Sequence, residues 1–144
     1  MGAWLNITHR YIFTIKKRKK KMKLPIFIEN SKIPVWLSKI APININAITL
    51  GPIVLSRGVL SERVKRHETI HFMQYKELFF VGFILIYIFD YLYAALIKKK
   101  GFTRDAYLAI RFEQEAYFND VYEDYLERRK KYRWKDYPLG GKNK

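Results

Sequence analysis

The sequence predicts an α+β fold in which short N-terminal strands pack on a bundle of about three helices. Two observations point there. Between Leu24 and Ser56, short apolar bursts (LPIFI, IPVWL, ININAITL, PIVLS) are punctuated by Pro25, Pro34, Pro42, Gly51 and Pro52, a pattern of strands and turns. After Pro52 no proline recurs until Pro138, so nothing in that stretch interrupts a helix ladder. The 144 residues suit one domain, and with 49% of them hydrophobic the chain has ample surface to bury.

The elements follow in chain order. Gly2 to Ile15 is apolar but broken by His9 and Arg10, and the basic run comes after it, the reverse of a secretory signal. Lys16 to Lys23 places seven positive charges in eight positions, a solvated linker or a contact for anionic lipid headgroups. Residues 1–23 are therefore set apart from the folded domain. The strand region follows, and Ser61 with Glu62 behind it begins a helix that carries His67 and His71. Leu78 to Ile97 is a twenty-residue apolar stretch, closed by Lys98 Lys99 Lys100 Gly101. Thr103 opens a last helix expected to run to about Lys131, and residues 138–144 read as a flexible tail.

Composition removes several chemistries. With no cysteine there is no disulfide, no thiolate metal site and no cysteine nucleophile. The formal charge of +15 favours polyanionic partners. Nucleic acid is the least favoured of them, because no RNP, zinc-finger or helix-turn-helix pattern accompanies the basic run.

His67-Glu68-Thr69-Ile70-His71 reads HExxH. On a helix, residues four apart share a face, so both imidazoles reach one ion while Glu68 reaches a water beside it. A catalytic zinc needs a third protein ligand. The metzincin continuation is absent, since Gln74 stands at its glycine and Glu77 at its third histidine. His9 lies far upstream, which leaves a carboxylate. Asp90 is one candidate; the segment Arg111 to Asp120 offers Glu113 and Glu115. Those two glutamates lie about 200° apart on a helix, so only one can face the metal. We favour Glu113, whose face continues through Tyr117, Asp120 and Asp124. Tyr117 could donate to an oxyanion, and the two aspartates could orient the ligating imidazoles.

HETIH followed by RFEQEAY resembles the gluzincin arrangement, in which a second helix supplies a glutamate. It is most similar to membrane zinc proteases of the CaaX-prenyl-protease type, with their ExxAD second motif, and to small uncharacterised zincin-like metallopeptidases. The resemblance covers roughly residues 47–124. It implies a zincin-like domain over residues 24–137, Zn2+ on His67, His71 and Glu113, and Glu68 as general base in hydrolysis of a peptide or protein substrate. Ala116 matches the motif's alanine, while Tyr117 replaces its aspartate. It also implies that an edge strand, here Ala47, Ile48, Thr49, Leu50 and Gly51, binds the substrate backbone.

Thirteen of the twenty residues from Leu78 to Ile97 are Leu, Ile, Val or Phe. At about −0.3 to −0.6 kcal/mol each they outweigh the roughly +3 kcal/mol of Asp90, so insertion in lipid is favourable. One straight span would nevertheless put the histidines and Glu113 on opposite sides of a bilayer. A helix bending near Gly82, or lying shallowly, avoids that conflict. The expectation is association with the cytoplasmic side of an anionic membrane. The alternative is a soluble cytoplasmic domain in which Asp90 pairs with Arg104 or Arg111. Two further readings compete with peptidase: a non-catalytic membrane-peripheral protein with a structural or relic metal site, and a di-iron bundle, for which only one ExxH is present.

Overall fold

A computed structural model describes residues 23–41 and 43–142. The apolar N-terminal segment with His9, most of the polybasic run, Pro42 and the last two residues lie outside the described residues.

Strands β1 (Ile26–Ile28), β2 (Ala47–Leu50) and β3 (Ile53–Ser56) form one sheet of order β1-β3-β2. β2 and β3 are an antiparallel hairpin in which Leu50 pairs with Ile53, and β1 joins β3 in parallel. The short helix α1 (Ile33–Leu37) lies in the crossover. β2 is thus an edge strand, and it packs along α2 (Glu62–Glu77). Gly51, between the hairpin strands, has a positive φ of 62°, and a Cβ there would lie 2.8 Å from the Phe80 ring. Both the turn and this contact demand glycine.

Ser61 caps α2 as expected, accepting a hydrogen bond from the Val64 amide at 3.3 Å. The apolar stretch after it does not continue as a straight rod. Leu78 ends α2, Phe79 and Phe80 adopt positive φ values of 50° and 63°, and α3 (Val81–Leu92) leaves at 113° to α2. The turn therefore falls just before Gly82 and not at it. A π-helical turn, Tyr93–Ile97, completes the segment.

The single last helix expected from Thr103 to Lys131 is instead α4 (Arg104–Leu108), α5 (Arg111–Asn119) and α6 (Tyr125–Arg128), followed by a 3-10 turn at Arg133–Asp136. The reason is tertiary. Asp90 of α3 is fully buried and accepts from the Arg111 backbone N–H at 3.1 Å, capping α5 from another helix. The same carboxylate takes Arg111 Nε and Nη2 at 2.9 and 2.8 Å. Asp90 is thus Arg111's partner, as the soluble reading anticipated, and not a metal ligand. Thr103 precedes α4 but turns its hydroxyl to the Lys100 carbonyl.

Three aromatic contacts fix the helices around the site. Tyr75 of α2 stacks on Phe83 of α3 at 3.8 Å, Phe83 stacks on Phe112 of α5 at 4.4 Å, and Trp134 closes on Phe112 edge to face. Ile70, Ala116 and Tyr125 form a second buried cluster that joins α2, α5 and α6. Beyond the 3-10 turn, Gln114 donates to the Pro138 carbonyl, and Gly140 is buried against Lys98 and Tyr93.

Candidate metal centre

The register of α2 puts His67 and His71 on one buried face, directed at α5. Because Asp90 and Arg111 set where α5 starts, Glu113 falls in its first turn and faces those histidines. His67 Nε2 lies 3.2 Å from His71 Nε2 and 3.4 Å from Glu113 Oε2, and His71 Nε2 lies 3.3 Å from Glu113 Oε1. In a tetrahedral site with bonds of about 2.0–2.2 Å, ligand atoms lie about 3.3–3.5 Å apart. The imidazoles approach different oxygens of the one Glu113 carboxylate, and the three groups lie close enough together that they could hold a metal ion. Among the described residues no second such group occurs, which leaves a dinuclear carboxylate site without its other half.

Each imidazole is held from behind. His67 Nδ1 donates to Asp120 Oδ2 at 3.1 Å, and Asp120 also receives Arg63 Nε at 2.7 Å. His71 Nδ1 donates to Gln74 Oε1 at 2.8 Å. Both Nδ1 atoms being engaged, both Nε2 atoms are directed at the common point, which is how proteins select the metal-binding tautomer. Asp120 thus stands where the sequence placed it. Asp124 does not: α5 ends at Asn119, and Asp124 is exposed and paired with Arg128 at 2.9 Å.

Glu115 points away from Glu113, as the 200° separation required. It is fully buried, and Arg111, one helical turn before it, is committed to Asp90. Glu115 instead accepts from Gln74 Nε2 at 2.9 Å, Tyr125 Oη at 2.8 Å and Arg129 Nε at 2.5 Å. Arg129 also pairs with Glu77, the residue at the metzincin third-histidine position. A chain of buried polar contacts therefore runs from His71 through Gln74 and Glu115 to Arg129 and Glu77. Nothing in the sequence around Gln74 or Arg129 marked them.

Two tyrosines were also not legible in the sequence. Tyr87 of α3 donates to Glu113 Oε1 at 2.9 Å, and Tyr107 of α4 to Glu113 Oε2 at 2.7 Å. Tyr117 packs its ring edge-on to His67 at 4.6 Å and lies edge-on to the Tyr107 ring at 6.4 Å. Burial, aided by the Glu113 charge, raises the Tyr117 pKa, so it remains a neutral donor at the rim.

Glu68 is buried and stays outside the three-atom group. Its Oε2 accepts a 2.6 Å hydrogen bond from the Thr49 hydroxyl of β2. Ala47, Ile48 and Thr49 line a cleft of about 610 Å3 with His67, Glu68, His71 and Glu113. Leu50 and Gly51, at the far end of the expected substrate strand, do not line it. A second, apolar cavity of about 350 Å3 shares Ile48, Tyr75, Phe83 and Tyr107 with this cleft.

Burial disfavours charge on His67, but its bonds to Asp120 and Glu113 outweigh that and raise its pKa from 6.5 to about 10. The same competition, led by burial and won by the Glu113 charge, raises His71. Glu113, despite burial, is held well below the carboxylate range by His71 and His67. These directions describe a pocket built for positive charge at its centre, supplied by protons or by a cation.

No family model, curated protein or solved structure matches this chain. The reading of the site rests on its own geometry.

Proposed function

We propose that the protein is a zinc-dependent peptidase. The observation that carries this is the buried group formed by His67 Nε2, His71 Nε2 and the Glu113 carboxylate, with closest approaches of 3.2–3.4 Å, lining a cleft that also holds Glu68. Two nitrogens and one carboxylate oxygen, with room for a fourth ligand, is a donor set suited to catalytic zinc. Zinc bound there would act as a Lewis acid toward a water or a carbonyl oxygen.

The remaining roles fall to this chain's residues. Glu68, oriented by Thr49, accepts the proton of the attacking water and returns it to the leaving amine. Tyr117 at the rim donates to the oxygen on which negative charge develops. The open edge of β2 offers unpaired backbone groups beside Glu68, to which an extended substrate could add as a strand. The apolar cavity adjoining the cleft suits an aliphatic or aromatic side chain of that substrate.

Metal analysis of purified protein and turnover of a quenched-fluorescence peptide library test the proposal together. Near-stoichiometric zinc is expected in the wild type. Glu68→Gln should retain zinc and lose hydrolysis, while His71→Ala loses both. Full hydrolysis by Glu68→Gln would defeat the assignment of the base. Zinc without any turnover would favour a structural metal clip.

A further inference from the structure

Helix α3 is inverted relative to a helix on a water-facing surface. Its inward face carries the polar groups, Tyr87 on Glu113 and Asp90 on Arg111. Its outward face is Val81, Ile84, Leu85, Ile88, Phe89 and Leu92, all between 41% and 65% exposed. At 100° per residue these six fall within about 140° of arc, one continuous stripe. Leu96 and Ile97 prolong it, and Phe79, 86% exposed, stands at its other end. Monomeric proteins rarely leave a contiguous apolar surface of this kind in water.

We propose that this stripe beds in the surface of an anionic lipid bilayer. Charge selects that occupant. The one acidic residue between Leu78 and Ile97 is Asp90, turned inward, so the stripe bears no negative charge. Lys98, Lys99 and Lys100 follow directly at its C-terminal end, where they meet headgroup phosphates. Two copies of a chain of net charge +15 repel each other, which disfavours a second copy as the cover.

The helix lies in the surface and does not cross it. Val81 to Ile97 spans about 25 Å at 1.5 Å per residue, short of a hydrocarbon core of about 30 Å. Among the described residues no single helix is long and apolar enough to cross a membrane, and the α2–α3 pair turns through 113°. Ile84 and Ile88 also line the apolar cavity that adjoins the metal cleft. Seating the stripe in lipid therefore brings the mouth of the cleft to the lipid–water boundary. This placement holds whether or not the metal site is catalytic.

Flotation of the full chain with vesicles tests it, using phosphatidylcholine alone and phosphatidylcholine–phosphatidylglycerol at two to one. The wild type should float with the anionic vesicles. Leu85→Glu with Ile88→Glu, both at exposed positions, should reduce the bound fraction about tenfold or more while circular dichroism stays unchanged. Replacing Lys98, Lys99 and Lys100 with alanine should weaken binding to anionic vesicles and reduce its salt dependence. Failure of the wild type to bind overturns the proposal. So does binding that survives the double glutamate variant and disappears only when residues 2–22 are deleted. A double variant that turns a dimer into a monomer without changing flotation overturns it in favour of a second copy.

Discussion

Gln74 bridges His71 and Glu115, accepting from His71 Nδ1 at 2.8 Å while donating to Glu115 Oε2 at 2.9 Å. The amide can have only one orientation. Glu115 and the Phe112 carbonyl, also within 3.3 Å of Nε2, are both acceptors, so the nitrogen faces them and the oxygen faces the imidazole. His71 must then carry its proton on Nδ1, which frees Nε2 for a metal. Gln74→Leu should weaken zinc binding about 10–100-fold, read by competition with a chromogenic chelator. It should also cost about 1–3 kcal/mol in urea unfolding, because His71 Nδ1 and Glu115 both lose a buried partner.

Asp120 performs the same service for His67, whereas Asp124 pairs with Arg128 at the surface. Asp120→Ala should therefore lower zinc affinity about 10–100-fold. Asp124→Ala should leave it unchanged and shift stability by no more than about 0.5 kcal/mol. Equal effects of the two substitutions, in the same chelator competition, would remove Asp120 from its orienting role.

Thr49 ties the Glu68 carboxylate to the edge strand through a 2.6 Å hydrogen bond. Thr49→Val keeps the shape but removes the hydroxyl. Zinc content should not change, because Glu68 is outside the ligand group. The expected result is a loss of about tenfold or more in kcat with KM little altered, as for an interaction used in the transition state. Thr49→Ser should restore the rate.

How far the sequence foretold this site depends on how local each determinant is. The Ser61 cap, the shared face of His67 and His71, and the opposed directions of Glu113 and Glu115 are properties of one helix at a time, and 3.6-residue periodicity exposes them. The break between α4 and α5 is not local. No proline occurs between Thr103 and Lys131 and no glycine either; the interruption comes from a carboxylate on α3 capping Arg111. The Phe79–Phe80 corner places two aromatic residues at positive φ, where propensity points elsewhere, and it depends on Gly51 making room for the Phe80 ring. Tyr87, Tyr107 and Arg129 reach the site from other elements, so periodicity alone could not identify them. Asp124 failed for the complementary reason, because extrapolating the α5 face assumed a helix running on toward Lys131, whereas α5 stops at Asn119.

Asp90 and Arg111 join α3 to the start of α5, and the position of Glu113 depends on that junction. Asp90→Ala would leave Arg111 without its carboxylate and the first turn of α5 uncapped. A loss of about 3–5 kcal/mol is expected, measured by urea unfolding. Asp90→Leu combined with Arg111→Met removes both charges and should cost much less than the single change. Zinc affinity should fall in the single variant, because Glu113 loses its anchor.

Protons and zinc compete for the same centre, and the direction of each shift fixes the pH response. In the metal-free protein the raised pKa of His67 contributes stability that is fully present below pH 6.5 and is lost as pH rises toward about 10. The depressed pKa of Glu113 contributes stability present above its ordinary 4.5 and lost as pH falls toward its much lower folded value. For these two groups the metal-free fold is therefore best supported between pH 4.5 and 6.5 and weakens on the alkaline side. Zinc reverses the alkaline trend, because it supplies the positive charge that His67 and His71 give up when they bind it. Uptake near pH 7 should release one to two protons, detected by calorimetry in buffers of different ionisation enthalpy. Apparent zinc affinity should rise steadily from pH 6 to 9, and Asp120→Asn, which weakens the hold on the His67 proton, should flatten that rise. Zinc binding with no proton release at pH 7 would show that the histidines are already neutral and that the charge of Glu113 is met in another way.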